Sequence, residues 1–307
     1  MGKAKIAITA RSFDIHGEAY KKLIQYCDVV TINQTGNRLG ENELITSIQN
    51  ADGTISGTEI FSKNVIESAP TLKIISRIGV GIDNIDLDTC ARHSIKVCST
   101  PDAPAIAVAE HTLALLFSTL KHIPQYYGQV RHGDFSISYG ILLSGKTVGI
   151  IGFGRIGRQV AVLLSAMGCK VLFFDPYVEA IHSVPWKKIP KLDMLVKKSD
   201  IISLHSSPPQ TGSPLITQEI LSNAKKGLII INTARGSLID EKALDAALDS
   251  GLVAAAGLDV VSHEPYSGPL LRHSEVLITP HVASNTVESR MRMEMEAVTN
   301  IVTFLGE

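Results

Sequence analysis

The chain has 307 residues, and its composition excludes several classes of protein. Hydrophobic residues make up 45% and charged residues 19% of it, which is typical of a folded globular protein. Lysine and arginine number 29 against 30 aspartates and glutamates, so the net charge of -1 gives no reason to expect nucleic acid or an anionic membrane surface as a partner.

Short apolar strands alternate with helical patterns through the first hundred residues. The predicted strands are residues 5–9, 29–32, 53–56, 73–76 and 96–98. The helical patterns between them are residues 17–26, 41–50, 62–68 and 87–92. Such alternation predicts a parallel sheet that helices cover on both faces, and a chain of this length predicts a second domain after it.

The pattern breaks at Thr100-Pro-Asp-Ala-Pro104, which predicts a segment crossing between domains. A long, mostly apolar helix is predicted next, over residues 105–129. A second α/β series follows, with strands near residues 201–205, 228–232, 254–259 and 276–279, and residues 286–304 form a last helical pattern. The second half of the chain therefore predicts another parallel sheet.

The cysteines and the amino terminus bear on where the protein works. The four cysteines form no CxxC pair, so we expect reduced thiols, a cytoplasmic protein and no metal site. The apolar stretch that follows Met1 is too short for a signal peptide, and no apolar run approaches the length of a membrane span.

The most informative segment is the run Gly149-Ile-Ile-Gly152-Phe-Gly154-Arg-Ile-Gly157, with a strand before it and a helix and strand after it. That order is typical of a dinucleotide-binding βαβ unit. Its three loop glycines, Gly152, Gly154 and Gly157, allow a tight turn, a close approach of the pyrophosphate and close helix packing. Asp175 ends the second strand, where a carboxylate binds the adenosine ribose and favours NAD over NADP.

Polar side chains that follow the later strands are candidates for catalysis, because ligands of open parallel sheets bind beyond the carboxyl ends of strands. His281 is suited to exchange a proton with a substrate oxygen. Glu264 is suited to pair with it and fix its tautomer, and Arg235 to hold a carboxylate through two hydrogen bonds. The set fits interconversion of a 2-hydroxy acid and a 2-keto acid, although each side chain also has an ordinary structural interpretation.

The chain resembles the D-isomer-specific 2-hydroxyacid dehydrogenases over almost its whole length. The segments that carry the resemblance include Arg77-Ile-Gly79-Val-Gly81, Val108-Ala-Glu-His111, the glycine-rich run, Ile231-Asn-Thr-Ala-Arg-Gly236, Gly257-Leu-Asp-Val260, Glu264-Pro265 and Thr279-Pro-His281. Within the family the chain is most similar to phosphoglycerate dehydrogenase-like members without a carboxyl-terminal regulatory domain. Ala10-Arg-Ser-Phe13 resembles their opening, and the chain stops at Glu307.

The resemblance implies an α/β fold of two Rossmann or flavodoxin-like parallel-sheet domains, with the active site in the cleft between them. A discontinuous substrate domain is expected from residues 1–100 plus 285–307, and an NAD-binding domain from residues 101–284. The resemblance also implies a homodimer formed through the NAD-binding domain by the long helix near residues 105–129, whose apolar surface exceeds what one core face needs.

Site residues follow from the resemblance as well. It implies Arg235, Glu264 and His281 as catalytic residues. The residues it implies for substrate binding are Arg77, Val80, Gly81, Arg235 and Ser284. The residues it implies for NAD binding are Val108, Gly152, Gly154, Arg155, Ile156, Gly157, Asp175, His205, Pro208, Thr233, Ala234 and Asp259. Among these, Asp259 is expected to hold the nicotinamide carboxamide, and His205 and Pro208 to border the adenosine.

The substrate stays open on the sequence alone. Thr54-Ile-Ser-Gly-Thr58 has no arginine where several phosphate-binding members have one, and Glu59 adds a negative charge nearby. Pro104, Ala107 and the pair Ser284-Asn285 also depart from commoner residues. A glyoxylate or hydroxypyruvate reductase is therefore the alternative to a phosphoglycerate dehydrogenase, and an NADH-sensing corepressor is the non-enzymatic alternative. Formate dehydrogenases carry glutamine at the position of Glu264, which argues against that reaction.

Overall fold

Two parallel sheets, one in each of two units, organise the chain. The computed structural model describes residues 2–179 and 185–306. Unit 1 comprises Met1–Pro104 together with Asn285–Glu307, and unit 2 comprises Ala105–Ser284. Both sheets run parallel throughout, which confirms the predicted α/β class.

Unit 1 contains five strands in the order β2-β1-β3-β4-β5. The strands are β1 (Ala4–Ile8), β2 (Cys27–Ile32), β3 (Gly53–Ser56), β4 (Ile74–Arg77) and β5 (Lys96–Cys98). Its helices are α1 (Glu18–Tyr26), α2 (Glu41–Ile48), α3 (Lys63–Glu67), α4 (Leu87–Arg92) and, at the carboxyl end, α11 (Val287–Gly306). This strand order is that of the flavodoxin-like sheets.

The core of unit 1 follows from the alternation of side chains along β1. Ile6 and Ile8 face α1 and α11, where they pack in one buried cluster with Val298. Ala7 points to the opposite face and packs with Leu44 of α2. Both faces of the sheet are therefore buried, as a parallel sheet requires.

The described residues of unit 2 form seven strands in the order β12-β11-β10-β9-β6-β7-β8. The strands are β6 (Thr147–Ile151), β7 (Lys170–Phe174), β8 (Lys187–Lys188), β9 (Ile201–Leu204), β10 (Leu228–Asn232), β11 (Val253–Leu258) and β12 (Val276–Ile278). The helices are α5 (Ala105–Leu120), α6 (Ile123–Arg131), α7 (Arg155–Ala166), α8 (Leu192–Lys198), α9 (Gln218–Leu221) and α10 (Glu241–Asp249).

The strand order of unit 2 is the Rossmann order with one further strand at the edge. From β6 the chain proceeds outward through β7 and β8, then returns to β9 on the other side of β6 and proceeds to β12. The order therefore reverses between β6 and β9, and ligands of such sheets bind at the carboxyl ends of the strands beside that reversal.

The prediction of one long helix over residues 105–129 is wrong in one respect, because the structure has two helices there. α5 ends at Leu120, and His122 adopts a left-handed backbone conformation with φ of 54°. Pro124 lies in the first turn of α6, where its missing N–H is tolerated. Apolar residues lie on both sides of the break, and the prediction passed over Lys121, His122 and Pro124, which are the local signals for it. In the described ranges of the chain, no helix combines the length and apolar character needed to cross a membrane.

Candidate active site

The glycine-rich loop between β6 and α7 combines tight packing with one open position. Gly152 has φ of 88°, and a Cβ there would lie 2.5 Å from the backbone nitrogen of Ser206. A Cβ at Gly157 would collide with the carbonyl oxygen of Gly152. Gly154 differs, because a Cβ there would meet no atom within 4 Å. The loop therefore leaves room above Gly154 at the amino end of α7, where backbone N–H groups favour an anion.

Asp175 follows β7 and accepts three backbone hydrogen bonds. Its Oδ2 accepts from Phe153 N at 2.7 Å, and its Oδ1 accepts from Tyr177 N at 2.8 Å and from Val178 N at 3.2 Å. The carboxylate thus ties the glycine-rich loop to the end of β7. Gly154 and Asp175 together give an open cradle and an acidic acceptor, and this arrangement fits a bound dinucleotide.

His205 and Ser206 follow β9 on the other side of the reversal. Burial lowers the pKa of His205 to about 3, so its ring is neutral near pH 7. Its Nε2 lies 2.7 Å from the hydroxyl oxygen of Ser203, while its Nδ1 and the hydroxyl of Ser206 are buried without a protein partner. Two buried polar atoms at this edge can therefore hydrogen-bond a ligand. Pro208 is half-buried in the same loop.

Asn232, the last residue of β10, shapes the loop that carries Thr233, Ala234 and Arg235. Its amide donates to the Arg235 carbonyl oxygen at 2.8 Å and accepts from Ala234 N at 3.0 Å. The guanidinium of Arg235 donates to the Ala234 carbonyl oxygen at 2.7 Å. The side chain of Asn232 is fully buried, so these two hydrogen bonds fix the direction in which the loop leaves the sheet.

Asp259 follows β11 and organises the loop that carries His281. Its Oδ1 accepts from Thr279 Oγ1 at 2.6 Å and from Val282 N at 2.9 Å, and its Oδ2 accepts from Ala283 N at 2.8 Å. Burial alone would raise the pKa of Asp259, but hydrogen bonds from His111 and from these three groups outweigh it and leave the pKa below its usual value. The carboxylate is therefore charged near neutral pH.

His281 and Glu264 form the pair predicted from the sequence. Nδ1 of His281 lies 3.1 Å from Oε1 and 3.2 Å from Oε2 of Glu264. Both side chains are about half exposed, at 48% and 44%. His281 has φ of 54°, and its backbone N–H donates to the carbonyl oxygens of Asp259 and Thr279. The backbone is thus held in a left-handed conformation that presents the imidazole to solvent.

The substrate residues predicted in unit 1 lie at the carboxyl end of β4. Gly79 has φ of 129°, and its N–H donates to the Thr100 hydroxyl at 2.7 Å. Val80 is 42% exposed, and Gly81 is half-buried beside it. Nε of Arg77 donates to the Gly57 carbonyl oxygen at 3.2 Å, which joins the loop after β4 to the loop after β3.

Glu59 lies in that neighbouring loop and is fully buried. Its Oε2 accepts from Gly57 N at 2.6 Å, and its Oε1 has no protein partner. Burial raises the pKa of Glu59, and the N–H of Gly57 and the guanidinium groups of Arg77 and Arg11 oppose that effect only in part. The sequence indicated a charge here but not that it is buried.

Not every predicted residue shows a contact that fixes its task. Val108 is buried in α5, Thr233 is nearly buried, and Ser284 is half-buried at the end of unit 2. Arg155 is exposed at the start of α7, and Ile156 is half-buried. The side chain of Asp259 has no exposed surface, and its contact with the nicotinamide stays a prediction.

Sequence reasoning did not single out Asn232 or two residues of α5, His111 and Thr112, as parts of the site. Thr112 lies 2.9 Å from the Thr233 hydroxyl, and His111 lies 3.2 Å from the Thr279 hydroxyl. These contacts join residues that are distant in the sequence, so no local pattern predicts them. Only the motifs in which His111 and Asn232 occur pointed to their neighbourhood.

Comparison with known proteins agrees with this geometry. The model of the D-isomer specific 2-hydroxyacid dehydrogenase NAD binding domain matches residues 113–283. Hydroxypyruvate reductase of Thermotoga maritima is 38% identical over 280 residues, which cover 89% of this chain and 90% of that protein. D-3-phosphoglycerate dehydrogenase of Methanocaldococcus jannaschii is 38% identical over 283 residues, which cover 90% of this chain and 53% of that protein.

The solved structure of the TT0316 protein from Thermus thermophilus superposes with a TM-score of 0.89 at 32% identity, covering 98% of this chain and 97% of the other. The chain belongs to the D-isomer-specific 2-hydroxyacid dehydrogenase family, and unit 2 contains its NAD-binding domain. It spans about half the length of the phosphoglycerate dehydrogenases that it matches.

Proposed function

We propose that the protein is an NAD-dependent dehydrogenase that interconverts a D-2-hydroxy acid and its 2-keto acid. The observation that carries the proposal is the hydrogen-bonded pair of His281 and Glu264 at the carboxyl edge of the NAD-binding sheet. The reaction requires a group that exchanges a proton with the oxygen on C2, and a histidine held by a carboxylate is suited to that task.

The pairing with Glu264 also gives the two nitrogens of the His281 imidazole different roles. Because the Glu264 carboxylate accepts a hydrogen bond, Nδ1 of His281 carries a proton, and Nε2 is the atom that faces the chemistry. Nε2 takes the hydroxyl proton when the acid is oxidised and returns it when the keto acid is reduced. Arg235 is proposed to bind the substrate carboxylate, together with the backbone N–H groups of Val80 and Gly81.

NAD supplies the hydride carrier when it is bound. The open space above Gly154 is proposed to receive its pyrophosphate, and Asp175 to accept hydrogen bonds from the adenosine ribose. A carboxylate at that position repels the additional phosphate of NADP, which supports a preference for NAD. His205, Pro208, Thr233 and Ala234 are proposed to line the cofactor.

The substrate has two candidates. Similarity to a phosphoglycerate dehydrogenase supports 3-phosphoglycerate, and similarity to a hydroxypyruvate reductase along nearly its full length supports a small unphosphorylated acid. The environment of Arg77 supports the second, because its guanidinium already donates to the Gly57 carbonyl oxygen and lies near the buried carboxyl group of Glu59. A dianionic phosphate needs more free positive charge than this arrangement provides.

The test is NADH oxidation by the purified protein with hydroxypyruvate, glyoxylate and phosphohydroxypyruvate in parallel. We expect turnover, with a higher kcat/KM for an unphosphorylated acid. A large preference for phosphohydroxypyruvate would instead assign phosphoglycerate as the substrate. NADH binding without turnover of any of the three would contradict the enzymatic proposal and support an NADH-sensing corepressor-like protein.

A homodimer is proposed through unit 2. Large apolar side chains are exposed along the segment after α6, with Phe135 at 77%, Ile137 at 87% and Tyr139 at 96%. Tyr127 of α6 is exposed at 65%. A soluble monomer rarely leaves such a surface uncovered, and a second copy of this surface is suited to cover it. The four unpaired thiols support a cytoplasmic location for this enzyme.

A further inference from the structure

The carboxylate of Asp259 connects helix α5 with the loop that carries His281. The carboxylate accepts hydrogen bonds from the Thr279 hydroxyl and from the N–H groups of Val282 and Ala283. The backbone carbonyl oxygen of Asp259 accepts a hydrogen bond from the N–H of His281. One residue therefore holds the loop on both sides of the histidine. The fourth group near the carboxylate is Nε2 of His111, at 3.4 Å from Oδ1.

This network shows which ring nitrogen of His111 donates a hydrogen bond. The Thr279 hydroxyl has one hydrogen, and at 2.6 Å from Asp259 it donates that hydrogen to the carboxylate. Nε2 of His111 lies 3.2 Å from the same hydroxyl oxygen, so it faces lone pairs on Thr279 and on Asp259. Nε2 must therefore carry a proton, and His111 donates to this buried pair of oxygens.

Thr112, the next residue of α5, contacts Thr233, the residue that follows β10. The Thr112 hydroxyl donates to the Val108 carbonyl oxygen at 2.7 Å, so it accepts the hydrogen bond from Thr233 at 2.9 Å. Consecutive side chains of α5 thus contact the end of β10 and the loops after β11 and β12. The helix is a fixed support against which the proposed nicotinamide and acid/base loops rest.

We propose that His111 is a positioning residue for His281, acting through the buried carboxylate of Asp259. His111 is 22% exposed and contacts Thr279 and Asp259, not His281 itself. Its donated hydrogen bond fixes Thr279 and Asp259, which fix the backbone of His281 and hence the distance from its imidazole to Glu264. The role rests on the proposed function of His281 as the acid/base group.

The experiment compares His111→Leu, which removes the donor, with His111→Gln, whose amide can still donate. His93→Leu is the matched control, since His93 is exposed in unit 1. We expect His111→Leu to lower kcat by about tenfold, the size of one lost hydrogen bond to a charged group, while KM for NADH changes by less than about threefold. His111→Gln should recover most of the turnover, and His93→Leu should match the wild type. Equal losses in both His111 variants, or a change confined to KM, would overturn the proposal.

A second readout does not depend on turnover. The imidazole Cε1–H resonance of His281, assigned by its loss in His281→Gln, reports its surroundings directly. We expect that resonance to move in His111→Leu and to stay near its wild-type position in His111→Gln and His93→Leu. An unmoved resonance in His111→Leu would reject the positioning role. Absence of turnover in the wild type would reject the proposed function, and the resonance would still decide whether His111 positions His281.

Discussion

The carboxylate of Asp175 has a structural task besides its proposed contact with the ribose. It accepts hydrogen bonds from the N–H of Phe153, a residue that is fully buried, and from the N–H groups of Tyr177 and Val178. Removing the side chain therefore changes both the cofactor preference and the stability of the loop. The two effects separate when two substitutions are compared.

Asp175→Ala and Asp175→Asn both remove the charge, and only the second keeps an acceptor oxygen. We expect both to raise the ratio of kcat/KM for NADPH to that for NADH by about tenfold, equivalent to ~1.4 kcal/mol of lost repulsion. Asp175→Ala should also lower the free energy of unfolding by ~1–3 kcal/mol, because the buried N–H of Phe153 loses its partner. Steady-state kinetics and urea denaturation measure the two effects. An unchanged cofactor ratio in both variants would contradict the ribose role.

Much of the residue-level site was accessible from motifs, but its supporting contacts were not. The pairing of His281 with Glu264 follows from two short motifs and is seen at 3.1 Å. The contact of His111 with Asp259 depends on how α5 packs against the sheet, which no local pattern encodes. The burial of Glu59 is also a consequence of packing, which its local sequence does not encode.

At the scale of elements, the loop between β6 and α7 shows why its glycines are not equivalent. Gly157 is required by packing, since an added Cβ would overlap the Gly152 carbonyl oxygen. Gly154 has φ of -76° and open space beside it, so an alanine fits the free protein. The fold therefore does not require a glycine here, and the proposed pyrophosphate site gives a reason for one.

Gly154→Ala and Gly157→Ala test this difference. We expect Gly154→Ala to change the free energy of unfolding by less than ~0.5 kcal/mol and to weaken NADH binding by at least about tenfold. Gly157→Ala should lower the free energy of unfolding by ~1–3 kcal/mol, because backbone must move to relieve the overlap. Urea denaturation and fluorescence titration with NADH give both quantities. Wild-type NADH affinity in Gly154→Ala would show that the pyrophosphate does not lie above this loop.

Element order and type were largely predictable, but the short strand β8 and the break between α5 and α6 were not. The hydrophobic pattern and the turn residues predicted most of the strands, because most of them are short apolar runs between glycine, proline or polar residues. The separation of α5 from α6 was missed because the apolar residues on both sides outweighed the polar pair Lys121-His122 and the break signal of Pro124. The left-handed backbone of His122 decides the break, and only the structure shows that conformation.

At the scale of the whole molecule, the exposed segment after α6 predicts an assembly. The double variant Ile137→Asp with Tyr139→Asp places two charges on that surface, and Tyr26→Asp, at an exposed tyrosine of unit 1, is the control. Light scattering after size exclusion should give twice the chain mass of 33.1 kDa for the wild type and for Tyr26→Asp. The double variant should elute as a monomer, because a charge buried without a partner opposes association. A monomeric wild type would contradict the proposed homodimer.

We propose that His281, held by Glu264, exchanges the proton on the substrate oxygen. The most direct measurement is NADH oxidation by the wild type and His281→Gln with the best 2-keto acid, with NADH binding measured in the same preparations and His93→Gln as control. We expect His281→Gln to lose about 100- to 10,000-fold in kcat while its affinity for NADH stays within about threefold. Turnover by His281→Gln at the wild-type rate would contradict the acid/base role of His281.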